Sequence, residues 1–103
     1  MSDNAISAGG TTTEMKVVVP QHVVYRRFPS ETVVLNLQTG KYHGLNPTAG
    51  EMLEELARSG SVETASVVVA RAHGLAADTV EDDVRHLCSV LLERDLIELA
   101  DAV

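Results

Sequence analysis

The chain has 103 residues, of which 45% are hydrophobic and 22% charged, so it can build one hydrophobic core but not two. No apolar run approaches the roughly 20 residues of a transmembrane helix, so no membrane partner is expected. The formal net charge of -7 disfavours nucleic acid as a partner, and a single cysteine, Cys88, excludes an internal disulfide and a thiolate-rich metal cage.

The beginning of the chain differs in composition from the rest. Residues 1–15, MSDNAISAGGTTTEM, contain neither a basic start nor an apolar segment, which is typical of a disordered arm and not of a secretory signal. We therefore predict a disordered N-terminal arm over residues 1–15, one folded domain over 16–100 and a cytoplasmic location.

Two β-strands are predicted at the start of the domain. A segment rich in β-branched residues gives the first strand, Val23–Phe28, and a Pro-Ser turn signal follows it. The segment TVVLNL, residues 32–37, alternates as a half-buried strand does. Its two faces carry different side chains: Val33, Leu35 and Leu37 on one, Val34 and Asn36 on the other.

A third strand follows after a short connection. The residues Gln-Thr-Gly at 38–40 have the length of a hairpin loop, and Gly40 can supply the positive φ that such loops need. The strand Lys41–Leu45 is therefore predicted to run antiparallel to the second strand. Consecutive hairpins leave this third strand at a free sheet edge unless the N-terminal arm folds back over it.

Two helices are predicted after the strands. Asn46 is a favourable N-cap and Pro47 suits the first helical position, so helix one runs to about Ser59. Helix two is predicted from Ser61 to His73. The run Val67, Val68, Val69 would also suit a strand on local preference, but the spacing of the apolar residues and a glycine just after the segment favour a helix.

Helix three has the clearest periodicity. Asp78 and Glu81 form a capping-box pattern at its start, and it is predicted to end near Arg94. Residues 96–99 could then form a short strand or a docked extension. The apolar stripe of this helix consists of Val80, Val84, Leu87, Cys88 and Leu91. Three antiparallel strands followed by three helices indicate an α+β, winged helix-turn-helix-like domain.

The side chains that could carry out catalysis or bind a metal form no recognisable pattern. None of the histidines at 22, 43, 73 and 86 has another at the i, i+4 spacing of a helical metal pair. Cys88 lies on an apolar stripe, and the acids at 81–83 are explained by the first turn of a helix, which favours negative charge. We therefore predict no enzyme, no catalytic residue, no metal and no cofactor.

A DNA-binding winged-helix regulator is the alternative with the same fold. Helix three would then read a DNA groove, but its start carries Glu81, Asp82 and Asp83, which would oppose phosphates. The charge of this helix therefore disfavours the alternative. A small hydrolase or metal protein would need a nucleophile partner or ligand cluster that the sequence does not provide.

Two segments, LNLQTGKYHGLNPTAGEMLEEL and DTVEDDVRHLCSVLLERDLIEL, resemble the PqqD-like family of peptide chaperones, also called RiPP precursor peptide recognition elements. The resemblance covers roughly residues 17–99 and is greatest to the stand-alone B1 protein of lasso peptide biosynthesis. The order Ala49-Gly50 departs from the Gly-then-Ala order expected for this family. The resemblance implies a domain that binds the leader region of a ribosomally made precursor peptide.

The resemblance also implies where the leader binds. In the family, the leader adds as a strand antiparallel to the third strand and lies between that strand and helix three. Carried over to this chain, the main-chain contacts fall on Lys41, Tyr42, His43, Gly44 and Leu45, and the groove wall falls on Val80, Asp83, Val84, Leu87 and Leu91. The expected protein partners are a leader peptidase, a B2-type cysteine protease, and a macrolactam-forming cyclase.

The hydrogen-bonding groups of an edge strand favour the same binding mode. A short edge strand has unpaired N–H and C=O groups that an added strand would complete. About four such hydrogen bonds contribute roughly 2 to 6 kcal/mol, whereas micromolar affinity needs about 8 kcal/mol, so apolar pockets beside helix three must supply the rest. Asp83 could pair with a basic leader residue or simply stabilise its own helix, and its predicted first-turn position favours the second role.

Overall fold

A computed structural model describes residues 14–100 of the chain. Its helices and strands follow one another in this order: β1 (Val17–Val18), β2 (Val23–Arg27), β3 (Thr32–Asn36), β4 (Tyr42–Leu45), α1 (Pro47–Ser59), α2 (Val62–His73), α3 (Ala77–Glu93) and β5 (Glu98–Leu99). The predicted α+β class, with three antiparallel strands followed by three helices, is confirmed. None of the helices among the described residues is long and apolar enough to cross a membrane.

The main sheet has the order β2-β3-β4, with both pairs antiparallel. Strand β4 pairs with β3 on one side, and no other strand among residues 14–100 pairs with its second side. This is the free edge that the sequence predicts. The helices cover the sheet face that carries Val34 and Asn36, while Leu37 on the opposite face is 60% exposed.

The described ends of the domain pair with each other. Val17 lies opposite Leu99 in a two-stranded antiparallel sheet, so the predicted strand in residues 96–99 forms at its last two positions. Its pairing with β1 was not predicted from the sequence. Residues 1–13 of the predicted N-terminal arm lie outside the described residues, whereas Met15 packs against the core.

Helix α1 begins and ends as predicted. The Asn46 side chain accepts a hydrogen bond from the Ala49 N–H at 2.8 Å, which satisfies one of the free donors of the first turn. Gly60 ends the helix in the left-handed conformation, with φ of 69°, and its N–H donates to the Leu56 carbonyl.

A glycine lets α1 approach the sheet. Gly50 is buried, and a Cβ placed there would lie 2.8 Å from the Cβ of Thr32 on β3. This spacing is shorter than carbon atoms tolerate, so the small residue at this position is a packing requirement. The order Ala49-Gly50 therefore places the glycine where the helix contacts the strand.

The second predicted helix is confirmed over Val62–His73. Ser61 caps it by accepting a hydrogen bond from the Thr64 N–H, and Gly74 ends it with φ of 66°. Val69 is buried, while Val67 and Val68 are 38% and 41% exposed, so the valine run crosses from the core face to the surface of a helix. Burial of one apolar face outweighs the weak helix preference of valine.

The apolar stripe predicted for α3 is confirmed, since all five of its residues are buried. The predicted capping box is wrong: the N-cap is Ala76 and makes no side-chain hydrogen bond. Asp78 instead lies inside the first turn, and Glu81 forms an ion pair with Arg85 one turn further along. Residues 81–83 consequently follow the first turn, so helix-dipole stabilisation does not explain all three of these acids.

Candidate functional site

The hydrogen bonding of the β3-β4 hairpin determines which edge groups point outward. The Asn36 N–H donates to the Lys41 carbonyl at 2.8 Å, so this opposed pair is a hydrogen-bonded one. Hydrogen-bonded and non-hydrogen-bonded pairs alternate along an antiparallel ladder, so His43 also directs its main-chain groups to β3. Tyr42 and Gly44 therefore direct their N–H and C=O groups away from the sheet.

The side chains of the edge strand alternate between the two faces of the sheet. Leu45 is 3% exposed and His43 is half-buried, and both lie on the face that the helices cover. Tyr42 and Gly44 lie on the outer face, where the Tyr42 side chain is 66% exposed. A strand added to this edge would therefore place alternate side chains on the helix side and on the outer face.

A groove separates the edge strand from α3. Its first part has a volume of about 380 Å³ and is closed at one end by the start of α1. Its second part, about 470 Å³, lies beside the hairpin turn and extends to Arg94. The side chains that line the first part are His43, Leu45, Asn46, Thr48, Ala49, Met52, Asp83, His86, Leu87 and Val90.

The part of α3 that faces this groove differs from the predicted groove wall. Asp83 and Leu87 line the groove as expected. Val80, Val84 and Leu91 do not, because they are 2%, 0% and 0% exposed and belong to the core. These three side chains hold the helix in place and are not accessible to a ligand.

Several residues that line the groove are not among those predicted from the sequence. His86 and Val90 on α3, and Arg94 directly after it, follow one another at intervals of four residues next to the buried stripe. Met52 contributes from α1. The sequence feature that could have identified them is their position beside the apolar stripe. The helix positions next to the stripe face the groove, whereas those at its centre are buried.

One buried asparagine fixes the hairpin relative to the end of α3. The Asn36 Oδ1 accepts hydrogen bonds from the N–H groups of Gln38 and Thr39, and its Nδ2 donates to the Asp95 carbonyl at 2.7 Å. An ion pair of 3.3 Å joins Lys41 to Asp95 at the same place. The edge strand and α3 are thus held at a defined separation.

The described residues show no arrangement for metal binding or thiol chemistry. No group of three or more potential metal ligands occurs among residues 14–100. Cys88 is fully buried, and this burial raises the pKa of its thiol to about 11, against a partly opposing effect of Arg85. A neutral thiol of this kind packs as a small apolar side chain.

A free sheet edge beside a lined groove defines a class of small domain that can accept an extended peptide as an additional strand. The family model that matches this chain is described as "Coenzyme PQQ synthesis protein D (PqqD)" and covers residues 31–97. The chain therefore belongs to the PqqD family, as the sequence resemblance implies. The search of curated proteins found no match.

Two solved structures share the fold. One, described as "TbiB1 in Complex with the TbiA(beta) Leader Peptide", is 28% identical with a TM-score of 0.70, over 81% of this chain and 98% of the other. The second, described as "Lasso peptide synthetase B1 complexed with the leader peptide", has a TM-score of 0.68 over 80% and 96% of the two chains. At 18% identity, this second likeness shows the fold alone.

Proposed function

We propose that this protein binds the leader region of a ribosomally synthesised precursor peptide, of the lasso peptide type, by strand addition to β4. The observation that carries this proposal is the edge of Tyr42–Leu45, which no further strand among residues 14–100 pairs with, beside the groove along α3. The similarity to TbiB1, which was solved with a leader peptide, supports the same function.

The size of the edge and groove agrees with this proposal. Tyr42 and Gly44 present two N–H and two C=O groups, which gives about four hydrogen bonds worth roughly 2 to 6 kcal/mol in total. Ordering the peptide offsets part of this gain. Micromolar binding needs about 8 kcal/mol, and one or two apolar leader side chains buried in the groove would add about 1.5 to 3 kcal/mol each. The groove therefore determines both affinity and leader choice.

We further propose that the protein has no catalytic role and presents the leader to separate enzymes. The first would be a B2-type cysteine protease that removes the leader, and a macrolactam-forming cyclase would act on the remainder. The neutral, buried thiol of Cys88 is consistent with this division, because it cannot reach a substrate. The cytoplasm remains the expected compartment, since a lone reduced cysteine requires no oxidising environment.

The alternative of a DNA-binding regulator receives no support from the surface of α3. Its exposed N-terminal half carries Asp78, Asp82 and Asp83, which would repel phosphates. A DNA complex would also leave the β4 edge without a function. Leader binding gives the β4 edge a function and brings no phosphate groups to the acidic side chains of α3.

Fluorescence polarisation with the leader of the precursor encoded beside this gene tests the proposal. Val90→Lys places a charge in the groove and should weaken binding at least about 10-fold, since it removes the burial of an apolar leader side chain. Val68→Lys is the matched control, because Val68 is 41% exposed on α2 and does not line the groove. Absence of binding by the unaltered protein at high micromolar concentration would refute leader recognition.

A further inference from the structure

A carboxylate lies on the outer face of the sheet beside the free edge. A Cβ built at Gly44 would be 2.9 Å from Oε1 of Glu31, so this carboxylate lies directly over the glycine of the edge strand. Glu31 is exposed and forms no ion pair with another described residue. On the helix side of the same end of the groove, Asp83 is also exposed. This end of the edge is therefore acidic on both faces.

The other end of the edge carries positive charge. The exposed Arg94 and Lys41 line the second part of the groove, beside Tyr42. Asp95 forms an ion pair with Lys41, which leaves the Arg94 guanidinium as the other cation that lines this part of the groove. Asp83 and Arg94, the residue directly after α3, are eleven positions apart, or about 16 Å at the helical rise, which matches the length of the five-residue segment 41–45. The groove thus has an acidic and a basic end.

We propose that these two charged ends select the charge pattern, and hence the register, of the bound leader strand. The proposal rests on the proposed function and extends it to the choice of leader. The leader residue opposite Gly44 places its side chain on the outer face, because paired residues share a face. A Lys or Arg there meets Glu31, since glycine offers no side chain of its own to separate them.

An acidic leader residue completes the pattern at the other end. It lies three positions along the strand, opposite Lys41 and on the helix side, where a carboxylate reaches Arg94. The two charges are complementary to the groove in one direction and register, whereas a strand shifted by one residue would turn each charged side chain to the opposite face. Like charges brought together by a reversed strand would weaken the complex.

A set of charge-substituted peptides tests this pattern. The leader encoded beside this gene is synthesised with single Lys and single Glu replacements at each position, and each dissociation constant is measured at low and high salt. The proteins compared are the unaltered chain, Glu31→Gln, Arg94→Gln and the control Glu98→Gln, which removes an exposed carboxylate from β5. Thermal denaturation establishes that every variant is folded.

We expect one leader position at which Lys is preferred by the unaltered protein and at which Glu31→Gln removes that preference. The loss should be about 1.5- to 5-fold at low salt and smaller at high salt, as for an exposed ion pair. At a second position, three residues away, the unaltered protein should prefer Glu, and Arg94→Gln should remove that preference. Glu98→Gln should change neither.

Two results would overturn this proposal. In one, Glu31→Gln or Arg94→Gln weakens the binding of all substituted peptides equally. In the other, both protein variants change the charge preference at the same leader position. In either case the unaltered protein would still bind the leader, so leader recognition itself would stand. Absence of any binding by the unaltered protein would instead refute the proposed function from which the pattern follows.

Discussion

Replacing Tyr42 with proline removes one outward N–H from the edge without removing a hydrogen bond of the hairpin. The register places Tyr42 at a non-hydrogen-bonded position, so its main-chain groups face the added strand and not β3. Proline is tolerated on an edge strand when its nitrogen faces solvent. His43→Pro is the opposite case, because its N–H points to β3 and the Val34 carbonyl would be left without a donor.

The expected magnitudes differ for the two variants. Tyr42→Pro loses one strand-to-strand hydrogen bond and leaves the partner carbonyl unsatisfied, a cost of about 1 to 3 kcal/mol in binding, or about 5- to 150-fold in affinity. Its free energy of unfolding should change by less than about 1 kcal/mol. For His43→Pro, the same cost of about 1 to 3 kcal/mol falls on the free energy of unfolding instead.

Two measurements on each variant separate these outcomes: fluorescence polarisation with the leader peptide and urea denaturation. Tyr42→Ala is the control for loss of the aromatic side chain, because it keeps the N–H. A Tyr42→Pro protein that binds as tightly as Tyr42→Ala would contradict strand addition at this edge. Loss of stability in Tyr42→Pro with none in His43→Pro would show that the register has the opposite parity.

Three further predictions concern stability. Asn36→Ala removes three hydrogen bonds of a buried side chain and should lower the free energy of unfolding by about 2 to 4 kcal/mol in urea denaturation. Asn36→Asp should not recover this loss, because its carboxylate would be buried against the Asp95 carbonyl that Asn36 now donates to; an unchanged stability in either variant would contradict this role of Asn36. Gly50→Ala should destabilise by about 1 to 3 kcal/mol despite the better helix preference of alanine, because its Cβ meets Thr32; an increase in melting temperature would contradict this packing. The Cys88 thiol should resist iodoacetamide at pH 8 in the native protein and react in urea. The pKa of this thiol is about 11 in the folded protein and about 9.0 when unperturbed, so the unfolded state loses the proton first as the pH rises. The free energy of unfolding should therefore fall by up to about 2 to 3 kcal/mol between pH 9 and 11. Rapid alkylation of the native protein would refute the burial of Cys88.

The sequence was most informative where local chemistry determines local structure. The Asn46-Pro47 helix start, the glycine ends of α1 and α2, and the five-residue stripe of α3 all depend on contacts within a few residues or on one periodicity. The free edge followed from the order of hairpins, because consecutive strands pair in sequence order. These features could be predicted without knowledge of the tertiary structure.

The parts that could not be predicted depend on long-range packing. Periodicity identifies the apolar stripe of α3 but not which of its borders faces the sheet edge. The family resemblance places the groove wall on Val80 and Val84, which are buried in the core, whereas Val90 lines the groove. The alternation of β3 left its buried face undetermined, since both faces carry apolar residues. Glu31 lies in the turn between β2 and β3, and Gly44 lies on β4. Their contact depends on the tertiary structure, so no local sequence pattern predicts it.

The pairing of Val17 with Leu99 has a consequence for engineering. Because this antiparallel contact brings the two described ends of the domain side by side, a short linker could join them and new ends could be opened in an exposed connection elsewhere. The β4 edge pairs with neither end segment. A second domain could accordingly be attached at either end, or this domain inserted into a surface loop of another protein, at positions that do not pair with β4.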